Sequence, residues 1–351
     1  MKKLVILSAF LSPYRSGAEA MVEEVSKRLS GDFDITIVTA RLSRTLKKRD
    51  ILGKNVKIIR VGLGMPLDKW LYPFLAPFHV LVLKPDIIHA VLETFAGLAL
   101  FFCPCKARKI LTLQTTNRTF LKTMIVRHPD TVTAISTDLV RIAKELGRTD
   151  VILIPNGIDL SALKDARRTS AKDSHRVLSV SRLEPMKGTD TLLRAFAKAI
   201  KGLDPAIHLR IVGNGSLLLS LQALARELEI DHRVKFTGYI TGPELFAEYA
   251  KAEIFAGLSR SEALGNVFLE AQGAGCAVLA TKVGGIPDIV HHEQTGILVP
   301  ADDTDAAAAE LRRLLTDAPL RAKLSIAAEK NAETYSWDGI AKRYIEVLNN
   351  P

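Results

Sequence analysis

Residues 176–200 read RVLSVSRLEPMKGTDTLLRAFAKAI, and this stretch contains one complete strand–loop–helix unit. Its first five residues, Arg176–Val180, are typical of a short strand, and Thr189–Ile200 carries apolar residues at helical spacing. The loop between them, Ser181–Gly188, is polar and contains both proline and glycine. A strand that leads directly into a helix is the repeating unit of parallel sheets covered by helices, so this stretch predicts an α/β fold.

The same alternation extends in both directions along the 351 residues. Strands are predicted at Leu4–Ala9, Phe33–Thr39, Val56–Val61, Asp86–Ala90, Ile110–Gln114, Thr131–Ile135, Val151–Ile154, Arg176–Val180, Ile207–Val212, Val234–Thr237, Ile254–Leu258 and Ala277–Thr281. Helices are predicted at Ala18–Leu29, Ser136–Leu146, Thr189–Ile200, Leu217–Leu228 and Gly265–Ala274, with a further one opened by Thr241. Two such series predict two doubly wound, Rossmann-like domains. A cleft between them, beyond the carboxyl ends of the strands, is the expected ligand site.

The boundary between the two series is marked by Pro155-Asn156-Gly157 and by the polar stretch Lys164–Ser174. We therefore predict an N-terminal domain at residues 1–158 and a C-terminal domain at residues 159–335. The chain length suits two domains of ordinary size.

Charge is distributed unevenly between the two predicted domains. The formal net charge is +10; residues 1–160 hold 24 lysines and arginines against 14 acidic residues, whereas the rest of the chain holds 24 of each. The densest basic part is Arg41–Arg60, in which Asp50 is the only acidic residue. This segment predicts contact with an anionic partner, such as lipid headgroups; a merely solvated surface is the alternative.

Neither a secretory signal nor a membrane span is predicted. The apolar stretches between Leu71 and Cys105 are interrupted by Lys84, Asp86 and Glu93, and none reaches the ~20 residues that a spanning helix needs. Three cysteines, an odd number, argue against a disulfide framework. We expect a cytoplasmic protein, at the inner face of the cytoplasmic membrane if the basic segment binds lipid.

The strongest functional signal is SRSEALGNVFLE, residues 259–270. Glu270 lies among apolar residues of a predicted helix, where a carboxylate needs a partner such as a ribose hydroxyl or an internal arginine. Gly265 and Asn266 stand where that helix begins, and free backbone amides at a helix start favour a phosphate. Glu262 precedes them and is solvated in the simplest interpretation.

A second signal lies after the first strand of the C-terminal domain. Arg182 and Lys187 follow Arg176–Val180, at the strand end where α/β folds bind ligands. A guanidinium and an ammonium there suit a diphosphate and the charge that it gains as a leaving group. Two ordinary surface cations are the alternative.

The two signals together resemble a known family. Glu262 and Glu270, with seven residues between them, resemble the E-x7-E signature of retaining GT-B glycosyltransferases, especially glycosyltransferase family 4. The other family landmarks occur in order at Ser12–Glu19, Pro155–Asp159, Ser181–Gly188, Ile211–Gly213, Gly284–Pro287 and Gly296–Pro300. The resemblance covers almost the whole chain and implies a GT-B architecture. It also implies that the last helix, residues 336–351, joins the N-terminal domain.

The resemblance implies a role for each matching residue. Arg182, Lys187 and Glu262 would be the catalytic set: the two cations would hold the donor diphosphate, and Glu262 would place the donor sugar. The remaining donor-binding residues would be Gly17, Gly238, Tyr239, Ile240, Gly265, Asn266, Val267 and Glu270. Glu270 would bind the ribose and the segment 238–240 the base. The resemblance implies no cofactor and no metal, and no metal-ligand cluster stands out in the sequence.

The chain departs from the family pattern near the sugar. Ala263-Leu264 stands where members often have Gly-Phe, and Gln114 stands where many have a histidine. Gln114 can hydrogen-bond a sugar but does not exchange protons near neutral pH. His89, at a predicted strand end, is a second candidate contact to the sugar or acceptor, with a structural role as the alternative.

The preferred interpretation is a hexosyltransferase that uses a UDP-sugar, with GDP-sugar as the second choice. The basic N-terminal domain favours a lipid-linked or cell-envelope glycan as acceptor. One alternative is a nucleotide-sugar epimerase of the same fold. Another is a non-catalytic protein that binds an anionic polymer, although no nucleic-acid-binding motif is present and nucleic acid is not an expected partner.

Overall fold

The computed structural model describes residues 1–117 and 121–350. It forms two compact units: unit 1 comprises residues 1–157 and 337–351, and unit 2 comprises residues 158–336. Both are α/β, as predicted from the alternation of strands and helices. Within the described residues, no helix combines the length and the apolar character needed to cross a bilayer.

Unit 1 is built on an eight-stranded sheet with the strand order β3-β4-β2-β1-β5-β6-β7-β8. Its elements, numbered in chain order, are β1 Lys2–Leu7, α1 Gly17–Leu29, β2 Phe33–Ala40, β3 Arg49–Leu52, β4 Val56–Val61, α2 Asp68–Leu83, β5 Ile87–Val91, α3 Phe95–Phe101, β6 Arg108–Leu113, α4 Lys122–Arg127, β7 Thr131–Ala134, α5 Thr137–Glu145, β8 Val151–Leu153 and α14 Trp337–Asn349. All neighbouring strands are parallel except β3, which pairs antiparallel with β4.

Unit 2 is built on a six-stranded parallel sheet with the order β11-β10-β9-β12-β13-β14. Its elements are α6 Leu160–Thr169, β9 Asp173–Val180, α7 Thr189–Ala199, β10 His208–Val212, α8 Leu218–Glu227, β11 Val234–Gly238, α9 Gly242–Lys251, β12 Ala252–Gly257, α10 Asn266–Gly273, β13 Ala277–Thr281, α11 Ile286–Ile289, β14 Ile297–Val299, α12 Thr304–Thr316 and α13 Ala318–Ala332. The strand order reverses between β9 and β12, so the two loops that follow these strands border the crevice where such sheets bind ligands.

Helix α14 is part of the core of unit 1. Trp337, Ile340 and Tyr344 are buried in one apolar cluster with Met21 of α1. A Cβ atom on Gly157 would lie 2.6 Å from Cε3 of Trp337, so glycine is needed for this close approach.

Two predicted helix starts have different outcomes. Ser136 caps α5, because its side chain accepts a hydrogen bond from the amide of Leu139. Thr241 occupies the N-cap position of α9, but its side chain makes no capping hydrogen bond.

Candidate active site

The two sequence signals of unit 2 meet at the reversal point of its sheet. The loop 181–188 follows β9 and the segment 258–265 follows β12, and these strands are neighbours. Lys187 forms an ion pair with Glu262, and both side chains are 15% exposed. Two residues that are 75 positions apart in sequence are therefore in contact where a ligand is expected to bind.

Glycines allow this contact to form. Gly188, with φ of 59°, follows Lys187, and a Cβ there would lie 1.9 Å from the carbonyl oxygen of Leu258. Gly284, with φ of 52°, is packed equally tightly, because its Cβ would lie 1.8 Å from the carbonyl oxygen of Glu262. Any side chain at either position would push apart the loops that bring Lys187 and Glu262 together.

Arg182 lies in the same loop and is exposed. Its guanidinium lies 4.0 Å from the sulfur of Met186. Hydrogen bonds from Ser216 to the carboxylate of Glu184 lower the pKa of Glu184, and the charge of Arg182 also contributes to this shift. Within residues 1–117 and 121–350, no carboxylate lies within salt-bridge distance of Arg182. Its charge can therefore be used for an anionic ligand.

Helix α10 begins at Asn266, directly after this ion pair. Gly265 precedes it with φ of 93° and provides no side-chain cap for the helix. The first amides of α10, at Asn266 and Val267, have no partner within an α-helix by its geometry. An amino-terminal helix end next to Lys187 is thus positioned to bind an anion.

Glu270 lies in the second turn of α10 and accepts a hydrogen bond of 2.8 Å from the hydroxyl of Tyr249. Tyr249 is fully buried. Burial and the neighbouring carboxylate raise the pKa of Tyr249 well above its ordinary value, so the phenol keeps its proton and remains a donor. Tyr249 is thus one internal partner of Glu270, where the sequence had suggested an arginine.

The segment 238–240 follows β11 at the same edge of the sheet. Gly213, at the end of β10, donates its amide to the carbonyl oxygen of Gly238 at 2.9 Å. A Cβ atom on Gly213 would lie 1.8 Å from the carbonyl oxygen of Ser181, so Gly213 also packs closely against the residue that follows β9. The ends of β9, β10 and β11 are therefore close together. Tyr239 is 67% exposed beside Ile240, so its ring is accessible to a planar group such as a nucleobase.

Arg260 holds the two loops together, and sequence reasoning missed it. Its guanidinium donates to Asp190 at 2.8 and 2.9 Å and to Asp302 at 2.7 Å, and its amide donates to the carbonyl oxygen of Met186 at 2.8 Å. Burial raises the pKa of Asp190, but the hydrogen bonds from Arg260 outweigh it and lower the pKa overall. The only sign of this role in the sequence was the position of Arg260 inside the motif, between Ser259 and Glu262.

We expect Arg260→Gln to lower kcat/KM by about 100-fold, because a shift of about 1 Å in a positioning element can have this effect. The guanidinium of Arg260 is engaged with Asp190 and Asp302, so the affinity of the site for an anionic ligand should fall less than turnover. Asp190→Asn should give a smaller loss in the same direction. Steady-state kinetics of both variants check this, and wild-type turnover in Arg260→Gln would contradict the positioning role.

The candidate residues of unit 1 lie at the carboxyl ends of its strands or inside its core. Gly17 is the first residue of α1, and the amide of the preceding Ser16 donates to Glu19 at 2.8 Å. Gln114 is 7% exposed and exchanges two hydrogen bonds of 3.0 and 3.1 Å with Asn156. Gln114 therefore fixes the Pro155-Asn156-Gly157 segment.

His89 lies in the interior of unit 1. It is 1% exposed, and its Nε2 is 2.7 Å from the hydroxyl of Thr112, which also contacts Thr133. Burial lowers the pKa of His89 to about 4, so the ring is neutral at physiological pH. This environment corresponds to the structural alternative considered for His89.

Unit 1 also contains a buried ion pair that sequence reasoning missed. Glu93 is fully buried and lies 3.1 Å from the ammonium of Lys122, which is 6% exposed. The carboxylate also accepts from the amide of Gln114 at 2.9 Å, and Lys122 donates to the carbonyl oxygen of Asn117 at 2.8 Å. The pair fixes residues 114–117, which follow β6. In the described part of the chain, no group of three or more histidines, cysteines and acidic residues is arranged to hold a metal.

The architecture defines the class of protein. Sucrose-phosphate synthase from Thermosynechococcus elongatus superposes with a TM-score of 0.88 over 99% of this chain and 98% of that chain, at 21% identity. HepE from Anabaena, in complex with UDP and glucose, gives 0.78 over 99% of both chains at 20% identity. At these identities the matches show the fold, which is that of the GT-B glycosyltransferases.

Family models identify the chain more closely. The model described as "Glycosyl transferases group 1" matches residues 162–331, and the model "Glycosyltransferase Family 4" matches residues 15–162. The two models together cover most of the chain, and the chain belongs to glycosyltransferase family 4, a family of enzymes.

Curated relatives match over a shorter region. A D-inositol 3-phosphate glycosyltransferase from Saccharomonospora viridis is 36% identical over 197 residues, which is 52% of this chain and 46% of that protein. A GDP-mannose-dependent alpha-(1-6)-phosphatidylinositol monomannoside mannosyltransferase from Mycobacterium tuberculosis is 34% identical over 211 residues, 56% of this chain and 54% of that protein. The chain spans about half the length of the curated relatives it matches.

Proposed function

We propose that this protein transfers a hexose from a nucleoside-diphosphate sugar to an acceptor hydroxyl, with retention of the anomeric configuration. The observation that carries the proposal is the Lys187–Glu262 ion pair beside the exposed Arg182 and the start of α10. Two cations and free helix amides at one strand edge form a diphosphate site. Family membership supports the same interpretation.

In the proposed reaction, the bond between the anomeric carbon and the diphosphate oxygen breaks as the acceptor oxygen bonds to that carbon. The acceptor proton passes to the departing phosphate oxygen. Arg182 and Lys187 stabilise the negative charge that accumulates on the diphosphate, and Glu262 orients both Lys187 and the sugar.

Because the protein supplies this positive charge itself, the proposed reaction needs no metal ion, and activity should be equal in EDTA and in Mg²⁺.

Glu270 is proposed to bind the donor ribose and Tyr239 to contact the base. The carboxylate of Glu270 is held by Tyr249 and can accept further hydrogen bonds from hydroxyl groups. We favour UDP because HepE, of the same fold, is described in complex with it, and we keep GDP because the M. tuberculosis relative is named as GDP-mannose-dependent.

The acceptor is proposed to be a lipid-linked or cell-envelope glycan at the inner face of the cytoplasmic membrane. The name of the M. tuberculosis relative contains a glycosylated phospholipid, phosphatidylinositol monomannoside, and that of the S. viridis relative contains the anionic D-inositol 3-phosphate. The basic segment Arg41–Arg60 likewise favours an anionic partner. Some basic residues of that segment are already paired with carboxylates of the same unit. Arg60 is 8% exposed and pairs with Asp50, and Lys57 pairs with Asp34.

A thermal-shift screen of the full chain against UDP, GDP, ADP, CDP and their sugar conjugates tests the proposal. One nucleoside diphosphate should raise the melting temperature of the wild type, since a ligand at 100 times its Kd stabilises by about 2.7 kcal/mol. Arg182→Ala and Glu270→Ala should lose most of this shift. Arg194→Ala is the matched control, because Arg194 is exposed on α7 of the same unit.

Three outcomes would reject the assignment. Absence of stabilisation by any nucleotide would reject the donor site as a whole, and an undiminished shift in both Arg182→Ala and Glu270→Ala would reject its location. Conversion of the sugar nucleotide to its epimer without an acceptor would favour the epimerase instead. The anomeric configuration of the product, read by NMR coupling constants, tests retention separately.

A further inference from the structure

Helix α2 leaves an apolar face uncovered. One side of the helix packs on the sheet: Tyr72 and Val80 are fully buried, and the hydroxyl of Tyr72 donates to the carbonyl oxygen of Val38 at 2.8 Å. The opposite side exposes large hydrophobic residues at helical spacing. The exposed set comprises Leu67, Trp70, Leu71, Phe74, Phe78, Leu81 and Val82, together with Leu63 before the helix and Phe102 after α3. We call this set the α2 patch.

The α2 patch is too concentrated for an ordinary solvated surface. It holds nine of the eighteen large hydrophobic residues that are exposed in the described part of the chain. Phe78 is 67% exposed and Val82 is 81% exposed. A contiguous apolar patch on a protein surface indicates a binding site for a partner or a membrane.

The aromatic rings of the patch are held in fixed positions. Phe74 stacks on Phe102 with ring centroids 5.4 Å apart, and Trp70 meets Phe95 edge to face at 5.0 Å. Such pairs are favourable arrangements for aromatic rings. The surface is therefore formed before any partner binds.

Cations of the basic segment lie close to α2. Before the helix, a Cβ on Gly64 would be 2.9 Å from Cα of Arg44, so the basic segment adjoins the start of the patch. A cavity of about 780 Å³ is lined by Leu83, the last residue of α2, by Lys47 and Arg49, and by the carboxylates of Asp34 and Asp50. None of these three cations lies within salt-bridge distance of a carboxylate among the described residues.

We propose that the α2 patch inserts into the headgroup region of an anionic membrane, with α2 parallel to the surface. Tryptophan, phenylalanine and leucine on one face, with lysine and arginine at its edges, are typical of interfacial helices. Helix α2 has sixteen residues, which is long enough for it to lie along a membrane surface. A second copy of this chain docking on the same patch about a twofold axis would bring the segments of Arg44, Lys47 and Arg49 towards each other, which like charge opposes.

Insertion of the α2 patch involves a surface of unit 1 and is a property separate from sugar transfer. It also goes beyond electrostatic contact through Arg41–Arg60, because it requires apolar side chains to leave water. Membrane insertion and donor binding can be measured separately on the same variants, so either can fail without the other.

The two tryptophans allow a direct test on the full chain. Trp70 is 60% exposed in the patch, whereas Trp337 is 4% exposed. On addition of vesicles of phosphatidylcholine and phosphatidylglycerol, we expect a blue shift of tryptophan emission and quenching by brominated acyl chains. Trp70→Phe should abolish the blue shift and keep most of the vesicle binding.

Paired variants test the contribution of the patch to affinity. Phe74→Ser/Phe78→Ser should weaken partitioning onto these vesicles at least tenfold in a co-sedimentation assay. Leu219→Ser/Ile326→Ser, at residues that are 79% and 71% exposed in unit 2, should leave it unchanged. Both double variants should keep the melting shift caused by the nucleoside diphosphate.

Three results would overturn the proposal. The first is vesicle binding with unchanged Trp70 emission, which would indicate electrostatic contact alone. The second is equal partitioning of the wild type and Phe74→Ser/Phe78→Ser. The third is a concentration-dependent blue shift without vesicles, accompanied by dimers in sedimentation, which would identify a second copy of the chain as the partner.

Discussion

Lys187→Ala is expected to lower kcat by about 10²- to 10³-fold, the usual effect of removing one group that stabilises developing negative charge. Lys187 is fixed between Gly188 and the ion pair with Glu262, at the start of α10. In the proposed reaction, the charge on the diphosphate grows as the sugar departs, so the ammonium should contribute more to the transition state than to the bound donor. KM for the donor should therefore change less than kcat.

The matched control is Lys198→Ala. Lys198 is a half-exposed lysine of α7 that pairs with Asp305, away from the sheet edge. Its removal should leave kcat within about twofold, as expected for a surface ion pair.

A second variant separates chemistry from structure at Lys187. Lys187→Ala leaves the Glu262 carboxylate without its cation, and this alone could disturb the loops. Lys187→Ala/Glu262→Gln removes that imbalance. If the double variant regained activity, the role of Lys187 would be to neutralise Glu262, and the assignment of Lys187 to the leaving group would be wrong.

The fold was predictable wherever strands are buried on both faces. The apolar run at Leu4–Ala9 and the restart at Arg176–Val180 each predicted a parallel strand, and the structure has β1 and β9 there. Strand β3 was missed because its sequence, Arg49–Leu52, is half charged and forms an edge. Helix α2 was missed because it contains Pro73 and Pro77 and is apolar on both sides, which hides its period.

The site was predictable where it consists of continuous motifs. The loop 181–188 and the segment 259–270 follow neighbouring strands, so their contact follows from the topology. Tyr249 and Asp190 were not predictable, because each acts on a residue that is far away in sequence. Their residue types carry no signal until the packing of α9 and α7 is known.

The buried pair of unit 1 gives the largest expected effect on stability. Lys122→Met should destabilise unit 1 by about 3–5 kcal/mol, because it leaves the Glu93 carboxylate buried without its cation. Both tryptophans belong to unit 1, so the unfolding transition of this unit can be followed by their fluorescence. Lys106→Met, at an exposed lysine of the same unit, is the control and should change stability by less than about 0.5 kcal/mol.

The pH dependence of this loss identifies its cause. Burial raises the pKa of Glu93 above its ordinary value, and Lys122 opposes this shift. Without Lys122, the folded-state pKa of Glu93 should rise further. Above that pKa the unpaired carboxylate destabilises unit 1, and this destabilisation decreases as the carboxyl gains a proton. The deficit of Lys122→Met relative to the wild type should therefore shrink as the pH is lowered from about 8 to about 5.

Substitution of both partners completes this test. Glu93→Gln/Lys122→Met replaces the carboxylate with a neutral amide whose oxygen can still accept from the amide of Gln114, so most of the lost stability should return. Equal destabilisation of the single and double variants at every pH would show that Lys122 acts through its hydrogen bonds to the carbonyl oxygens of Thr115 and Asn117. In that case residues 114–117 would depend on the lysine itself, and the charge of Glu93 would contribute little to stability.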